Sequence, residues 1–267
     1  MLKNLIVGAL FLLLFACNNQ PAPPNTNKTS PTATPASENK YPEELQKVFT
    51  KHGGLATWQK MHALSYEIVS EEDGNEAQFI DLKNRREKIE APTFVTGYDG
   101  QQFWLEADTS IYKGHPVFYH NLMFYFYAMP FVLADDGIIY EEATPLEFEG
   151  KSYPGYSISY KDGVGISSKD EYFIHYDKDT YEMSWLGYTV TYFSNEKSKK
   201  IKWIRYNDWA LFNGLLLPNS MSWYKLKDGK PVEPRGNTAF AKVLIQEAPF
   251  EDITFAKTPK AVFLPSQ

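Results

Sequence analysis

The sequence predicts a mainly β (α+β) fold. We expect a single strongly curved antiparallel sheet, an open half-barrel of about 11 strands, with helices packed in or over its concave face. Three observations predict it. Apolar residues alternate with polar ones over long stretches, as in Leu64, Tyr66 and Ile68 against Ser65 and Glu67. Asp-Gly turn signals recur at Asp73-Gly74, Asp99-Gly100, Asp162-Gly163 and Asp228-Gly229, each between strand-like runs. One densely aromatic segment, residues 116–135, breaks this rhythm and carries no hairpin signal. The stretch 79–104 shows the pattern best: successive strands closed by the Asp99-Gly100 turn, aromatic at both ends.

The chain starts with a short basic segment containing Lys3, then an apolar run over residues 5–15, then Ala16-Cys17. A basic start, an apolar run of this size and a small residue at the cut make a secretory signal over residues 1–16. The run is too short to cross a bilayer, which takes roughly 20 apolar residues. Leu14-Phe15-Ala16-Cys17 resembles the lipobox of bacterial lipoproteins, which implies cleavage before Cys17 and lipidation of its thiol. Cys17 is the only cysteine, so neither an intrachain disulfide nor a thiolate metal cluster is available. The formal net charge is −6, and cleavage would remove only Lys3 among charged residues. That balance argues against nucleic acid, and against strong electrostatic attraction to anionic lipid. Acyl chains on Cys17 would anchor the chain instead.

Residues 17–40 form a tether. Asn18 to Asn39 holds five prolines and no aromatic, Leu, Ile, Val or Met, too little apolar surface to fold. Its reach is roughly 25 Å as a coil and about 70 Å as polyproline. No acidic cluster follows Cys17, which favours an outer-membrane anchor facing the periplasm. Residues 41–267 form the folded domain.

That domain opens with helix. Leu45, Val48 and Phe49 make an i, i+3, i+4 stripe, Pro42 suits a helix start, and Gly53-Gly54 ends it. A second short helix over residues 55–61 carries Trp58. Strands are expected near 63–70, 76–82, 85–91, 94–98, 102–107, 151–160, 170–176, 182–192, 199–206, 219–227 and 237–246. Residues 116–135 read as one or two helices interrupted near Pro130, apolar nearly all round and so buried on both sides.

Catalytic and metal chemistry find little purchase. His115 and His120 are five apart, not the i, i+4 of a zinc helix, and HExxH is absent. Asp177-Lys178-Asp179 lacks the sharp-turn glycine of a calcium loop. There is no GxSxG, and Gly163-Val164-Gly165 lacks the third glycine of a phosphate loop. His175 reads as a strand residue with a satisfied ring, and Glu141-Glu142 is the nearest candidate for a carboxylate pair. No cofactor, no metal and no enzyme activity are expected.

The positive signal is aromatic. The chain has eighteen Phe, eighteen Tyr and six Trp, which either pack a sheet against helices or in part line a cavity. Trp104, Trp185, Trp203 and Trp223 fall in strand-like runs, and the i, i+2 pairs Met183/Trp185 and Met221/Trp223 should each share a face. Some would line a cavity for a hydrophobic ligand. The candidates are Tyr66, Trp104, Trp185 and Trp223, with Phe124, Phe126 and Met129 from the aromatic segment acting as a lid.

Residues 78–104 resemble the lipoprotein carriers of the LolA/LolB superfamily, in which an arginine-bearing strand precedes a proline and then an xDGxxxW-like hairpin. The matching residues are Arg85-Arg86, Pro92 and Asp99-Gly100 through Trp104. HGGLATWQKMHALSYEI looks like the helix and first strand of such proteins. DEYFIHYDKDTYEMSWLGYTVTYF and YNDWALFNGLLLPNSMSWY look like an outer-membrane lipoprotein family of Bacteroidota-type bacteria. The resemblance covers roughly residues 41–250. It implies an open half-barrel with a helical lid over an apolar cavity that takes acyl chains. It also implies lid contact by an arginine, here Arg85 or Arg86.

Three functions follow as expectations. The first is a membrane-anchored periplasmic lipoprotein that binds a lipid or other hydrophobic molecule in its cavity. The second is an envelope protein–protein interaction module with a core filled by its own side chains. The third is an anchored hydrolase with dispersed carboxylates. An empty apolar cavity favours the first, a solid core the second and clustered carboxylates the third.

Overall fold

A computed structural model describes residues 40–108, 110, 112–160, 169–192 and 196–265. The signal segment, Cys17, the tether and the Asp162-Gly163 turn lie outside the described residues. Residues Asn39–Gln267 form one compact unit. No helix among the described residues is long and apolar enough to cross a membrane.

Helices α1 (Glu43–Lys51) and α2 (Leu55–Lys60) come first. Leu45, Val48 and Phe49 are the buried stripe of α1, as the periodicity predicts. Gly53 and Gly54 take positive φ between the helices. The strands follow: β1 (Ala63–Ile68), β2 (Glu76–Asp81), β3 (Glu87–Ala91), β4 (Phe94–Tyr98) and β5 (Phe103–Ala107). After the aromatic segment come β6 (Ile138–Phe148), β7 (Lys151–Tyr160), β8 (Tyr172–Tyr176), β9 (Met183–Tyr188), β10 (Lys202–Phe212), β11 (Leu215–Lys227), β12 (Lys230–Gln246) and β13 (Val262–Phe263).

All thirteen strands form one antiparallel sheet, in the order β13-β5-β4-β3-β2-β1-β12-β11-β10-β9-β8-β7-β6. The sheet is two meanders joined where β12 pairs with β1. It has two edges, β13 and β6, and is not closed. The single open antiparallel sheet is the architecture the sequence predicts.

Two strands exceed the expected set. β6 escaped the alternation pattern because Glu141-Glu142 and Pro145 interrupt it, and it bulges between Ala143 and Leu146. Such features are normal on an edge strand. It turns into β7 at Glu149-Gly150, both with positive φ. β13 holds only two residues, too few for a periodic signal. β10 also runs on to Phe212, where Asn213-Gly214, again both with positive φ, makes a hairpin to β11. Asn-Gly is a strong hairpin signal that the Asp-Gly pattern leaves out, so the expected strands 199–206 and 219–227 stop short of this turn.

Two histidines are built into the core as neutral rings. His52, fully buried at the end of α1, bonds through Nδ1 to the Leu216 carbonyl at 3.1 Å. Its Nε2 accepts the Met183 N–H at 3.1 Å. His175 bonds the Tyr153 carbonyl at 3.0 Å. Burial pulls both pKa values down to about 4. The unfolded chain takes up these protons near pH 6.5, so the stability contribution is complete above that pH. It is lost as pH falls through the folded values near 4, by about 3 kcal/mol for each ring. The urea midpoint is therefore expected to drop between pH 7 and pH 4. His175→Gln, which can still donate to Tyr153, should remove part of that slope. An unchanged slope in the variant would show that His175 is not buried neutral.

Candidate functional site: a helical plug on the sheet

The aromatic segment folds into α3 (Pro116–Tyr119), α4 (Leu122–Tyr127) and a 3-10 turn (Phe131–Ala134). It breaks near Pro130, as predicted, and also at Asn121, which adopts the left-handed conformation. Phe124, Tyr127, Ala128, Met129 and Leu133 are fully buried, and Phe126 and Phe131 nearly so. They share one core with the inner face of the sheet. Tyr127 stacks on Tyr66 at 4.3 Å between ring centres and meets Phe240 at 4.6 Å. Phe126 packs on Tyr188 at 4.9 Å and Trp223 at 6.3 Å, and its carbonyl accepts the Tyr206 hydroxyl at 2.8 Å. Phe131 lies flat on Trp58 at 4.9 Å. The segment is thus a plug, and it occupies the inner face with its own side chains.

Polar contacts fasten the plug at the rim. Arg85 Nη2 donates to both Asp135 oxygens, at 3.0 and 2.8 Å, while its guanidinium sits 4.8 Å from the Phe124 ring centre. Burial raises the Asp135 pKa and the Arg85 charge opposes that rise. At α3, Glu87 Oε2 accepts the Asn121 N–H at 2.8 Å and meets His120 Nδ1 at 3.1 Å. Beside it, Tyr119 and Gln78 donate to Glu76 Oε1 at 2.8 and 2.7 Å, and Tyr66 donates to Gln78 at 2.6 Å. Burial raises the Glu76 pKa. Sequence reading missed the Glu87–His120 contact, because its partners are 33 residues apart on elements with no shared motif.

These fastenings are incompletely satisfied. Arg85 Nη1, Glu87 Oε1, Asn121 Oδ1 and Tyr127 Oη are buried without a partner among the described residues. A pocket of about 160 Å³ lies at the Arg85 latch, lined by Trp58, Gln59, Lys83, Arg85, Phe131 and Asp135 among others. It is smaller than a typical ligand pocket of roughly 300–1,000 Å³.

Of the nominated residues, Tyr66, Phe124, Phe126, Met129 and Trp223 come together on the inner face, and Arg85 touches the plug. Three do not join them. Trp185 belongs to a separate cluster with Leu146, Tyr153 and Trp203, under Arg205. A bulge between His175 and Tyr176, opposite Ser184, breaks the period-two rule, so Met183 and Trp185 leave β9 on opposite faces. Trp104 donates its indole N–H to the Phe255 carbonyl at 3.1 Å and packs under the C-terminal segment. Its neighbour Phe103 is the one that meets His120. Arg86 pairs with Asp81 and Asp252 and lies over Phe255, away from the plug. Arg85, at φ 57°, turns the other way.

The candidate chemistry sites are structural. Asp177 is a turn residue that accepts the Asp179 and Thr180 N–H groups and pairs with Lys151, which with those bonds brings its pKa to about 2. Glu141 and Glu142 are exposed on the edge strand β6. No cluster of three or more His, Cys, Asp or Glu suited to a metal occurs among the described residues.

Fold and site together define an open antiparallel half-barrel with a helical plug. Neither the protein-family models nor the curated proteins compared with the chain give a match. Solved structures do resemble it. A LolA superfamily protein from Nitrosomonas europaea has TM-score 0.47 and 8% identity, over 79% of this chain and 97% of that one. A DUF1329 family protein from Desulfovibrio piger has TM-score 0.46 and 10% identity, over 80% and 98%. An outer membrane lipoprotein-sorting protein domain from Vibrio parahaemolyticus has TM-score 0.34 and 10% identity, over 77% and 97%.

Proposed function

We propose that this chain is a lipid-anchored binding protein of the cell envelope, held through Cys17 and facing the periplasm. Its plug would occupy the place of a hydrophobic ligand such as an acyl chain. The observation that carries this reading is how the plug is attached. Residues 122–134 reach the sheet only through side chains and a few hydrogen bonds, with no strand pairing. Four buried polar atoms at the plug and its fastenings have no partner among the described residues, and each such atom disfavours the closed state by about 1–3 kcal/mol. Exchange is also balanced in magnitude. Five large side chains leaving the inner face cost about 10 kcal/mol, and a sixteen-carbon chain taking their place regains about 12 kcal/mol. Tyr66, Trp223 and the plug residues Phe124, Phe126 and Met129 would then contact the ligand, with Arg85 as the latch.

Two measurements test this on residues 40–267. Native mass spectrometry of the protein purified from bacterial cells should reveal a co-purifying lipid or fatty acid. Arg85→Met should weaken the latch and raise the affinity for a fluorescent acyl probe by about 5- to 150-fold, since a hydrogen-bonded ion pair of this kind is worth about 1–3 kcal/mol. A bare mass, with no probe uptake by wild type or variant, would sink the reading.

The solid inner face favours a second reading, an interaction module whose filled core presents an edge or rim to another envelope protein. The same two measurements separate them, because a filled module takes up no probe in either form.

A further inference from the structure

The net charge of −6 conceals an uneven distribution. Residues 197–202 contain four lysines and no acid, and residues 225–235 contain three lysines and an arginine against Asp228 and Glu233. The fold brings both stretches to one end of the sheet. Lys202 pairs with Tyr188 at the start of β10, and Lys227 faces Lys230 across the β11–β12 turn. The Trp203 indole donates to the Gly229 carbonyl at 3.2 Å, which ties the two stretches together. Lys202 lies 6.0 Å from the Tyr188 ring centre, and the Arg235 charge acts on the same tyrosine.

Acids neutralise part of this, and Glu196 stands directly before the first stretch. Lys197 is 3.7 Å from Glu171 and Lys225 is 2.8 Å from Glu233. Lys199, Lys200, Lys227 and Lys230 are exposed and make no ion pair among the described residues. The hairpin tip also exposes two aliphatic side chains, Leu226 at 42% and Val232 at 47%. Tyr188, beneath the lysines, packs directly on Phe126 of the plug.

We propose that this end of the sheet docks on an anionic bilayer surface, with Leu226 and Val232 entering the headgroup layer and the lysines around them contacting phosphates. Several features select a bilayer over an acidic protein or a nucleic acid. Part of the cluster surrounds the β11–β12 hairpin turn, where Lys227 faces Lys230 and Leu226 and Val232 are exposed. It consists almost wholly of lysines, point charges on flexible stems that suit a diffuse anionic layer, whereas planar, bidentate recognition uses arginine. Aliphatic tips ringed by lysines can bury their apolar parts at the headgroup boundary while the ammonium groups stay in water. Docking here is independent of the ligand reading, because a filled module could dock in the same way. It would set the Phe126–Tyr188–Trp223 side of the plug at headgroup level.

The test is co-sedimentation of residues 40–267 with vesicles of phosphatidylcholine, with and without phosphatidylglycerol. The wild type should partition at least about 100-fold better onto the anionic vesicles, and the difference should fade as salt is raised. Each lysine at such a surface contributes about fivefold. The variant Lys199→Gln, Lys200→Gln, Lys227→Gln should therefore lose about 100-fold, with its circular dichroism unchanged. Equal partition onto both vesicle types, or a folded triple variant that binds like the wild type, would overturn the proposal. Equally tight binding to soluble polyglutamate, unaffected by Leu226→Ser with Val232→Ser, would overturn it too, since an acidic macromolecule would then be the partner.

Discussion

Phe126→Ala is expected to lower stability by about 3–5 kcal/mol, the usual cost of deleting a buried aromatic side chain. Phe126 is 4% exposed and fills the space between Tyr188 and Trp223. Its backbone carbonyl, which accepts from Tyr206, survives the substitution, so the plug stays in register. The space left lies beside the rim, so in the ligand reading the variant should also bind an acyl probe more tightly than wild type. Charged replacements act differently. Phe126→Asp with Met129→Asp would place two carboxylates in the core that the plug shares with Tyr66, Ile80, Ile158, Met221 and Phe240. That double variant is expected to lose its near-ultraviolet circular dichroism altogether, because burying unpaired charge costs more than the fold's whole margin. A urea titration of both variants checks this. A cost below about 1 kcal/mol for Phe126→Ala would mean that the plug does not occupy the sheet in solution.

Gly53→Ala is expected to be as damaging, through the backbone. Gly53 has φ +107°, and a Cβ there would lie 2.2 Å from the Gly214 carbonyl oxygen. Neither partner can yield easily, since the adjacent His52 carbonyl accepts the Leu216 N–H at 2.9 Å and holds α1 against the β10–β11 hairpin. The expected loss is about 4 kcal/mol or more. Gly54→Ala is the control. Gly54 has φ +85° and ψ 149°, a region open almost only to glycine, but a Cβ added there would meet nothing within 4 Å, so backbone strain of about 1–3 kcal/mol should appear without the clash. Equal urea midpoints for the two variants would rule out the close approach at Gly53.

Much of the fold was legible because its signals are local. An Asp-Gly pair needs only its own positive φ to turn a chain, and Asp228-Gly229 does so between β11 and β12. The burial of residues 126–133 followed from the composition of the segment, since an element without a polar face has nowhere else to go, but α3, Leu122, Met123 and Tyr125 are only half-buried, against the expectation that all of residues 116–135 would be buried on both sides. The site was only partly legible. Tyr66, Phe124, Phe126, Met129 and Trp223 meet as the strand and helix patterns suggested. Trp185 does not, because one bulged residue inverts the faces of β9 and no side-chain pattern announces it. Arg85 and Arg86 are adjacent and chemically identical, and only the left-handed backbone at Arg85 decides which of them reaches the plug.

By itself, the sequence determined the antiparallel meander, the α1 stripe and the existence of an apolar helical segment, expected as a lid and found as a plug. Each depends on residues within a few positions of one another. Tertiary structure alone decided that the inner face is filled, that β12 joins the two meanders, and that Glu87 meets His120. It also decided that lysines from two separate stretches gather at one end of an acidic chain. These are juxtapositions of distant residues, set by strand order and register. Composition averages over such juxtapositions, which is why a chain of net charge −6 could argue against anionic surfaces while carrying a basic end.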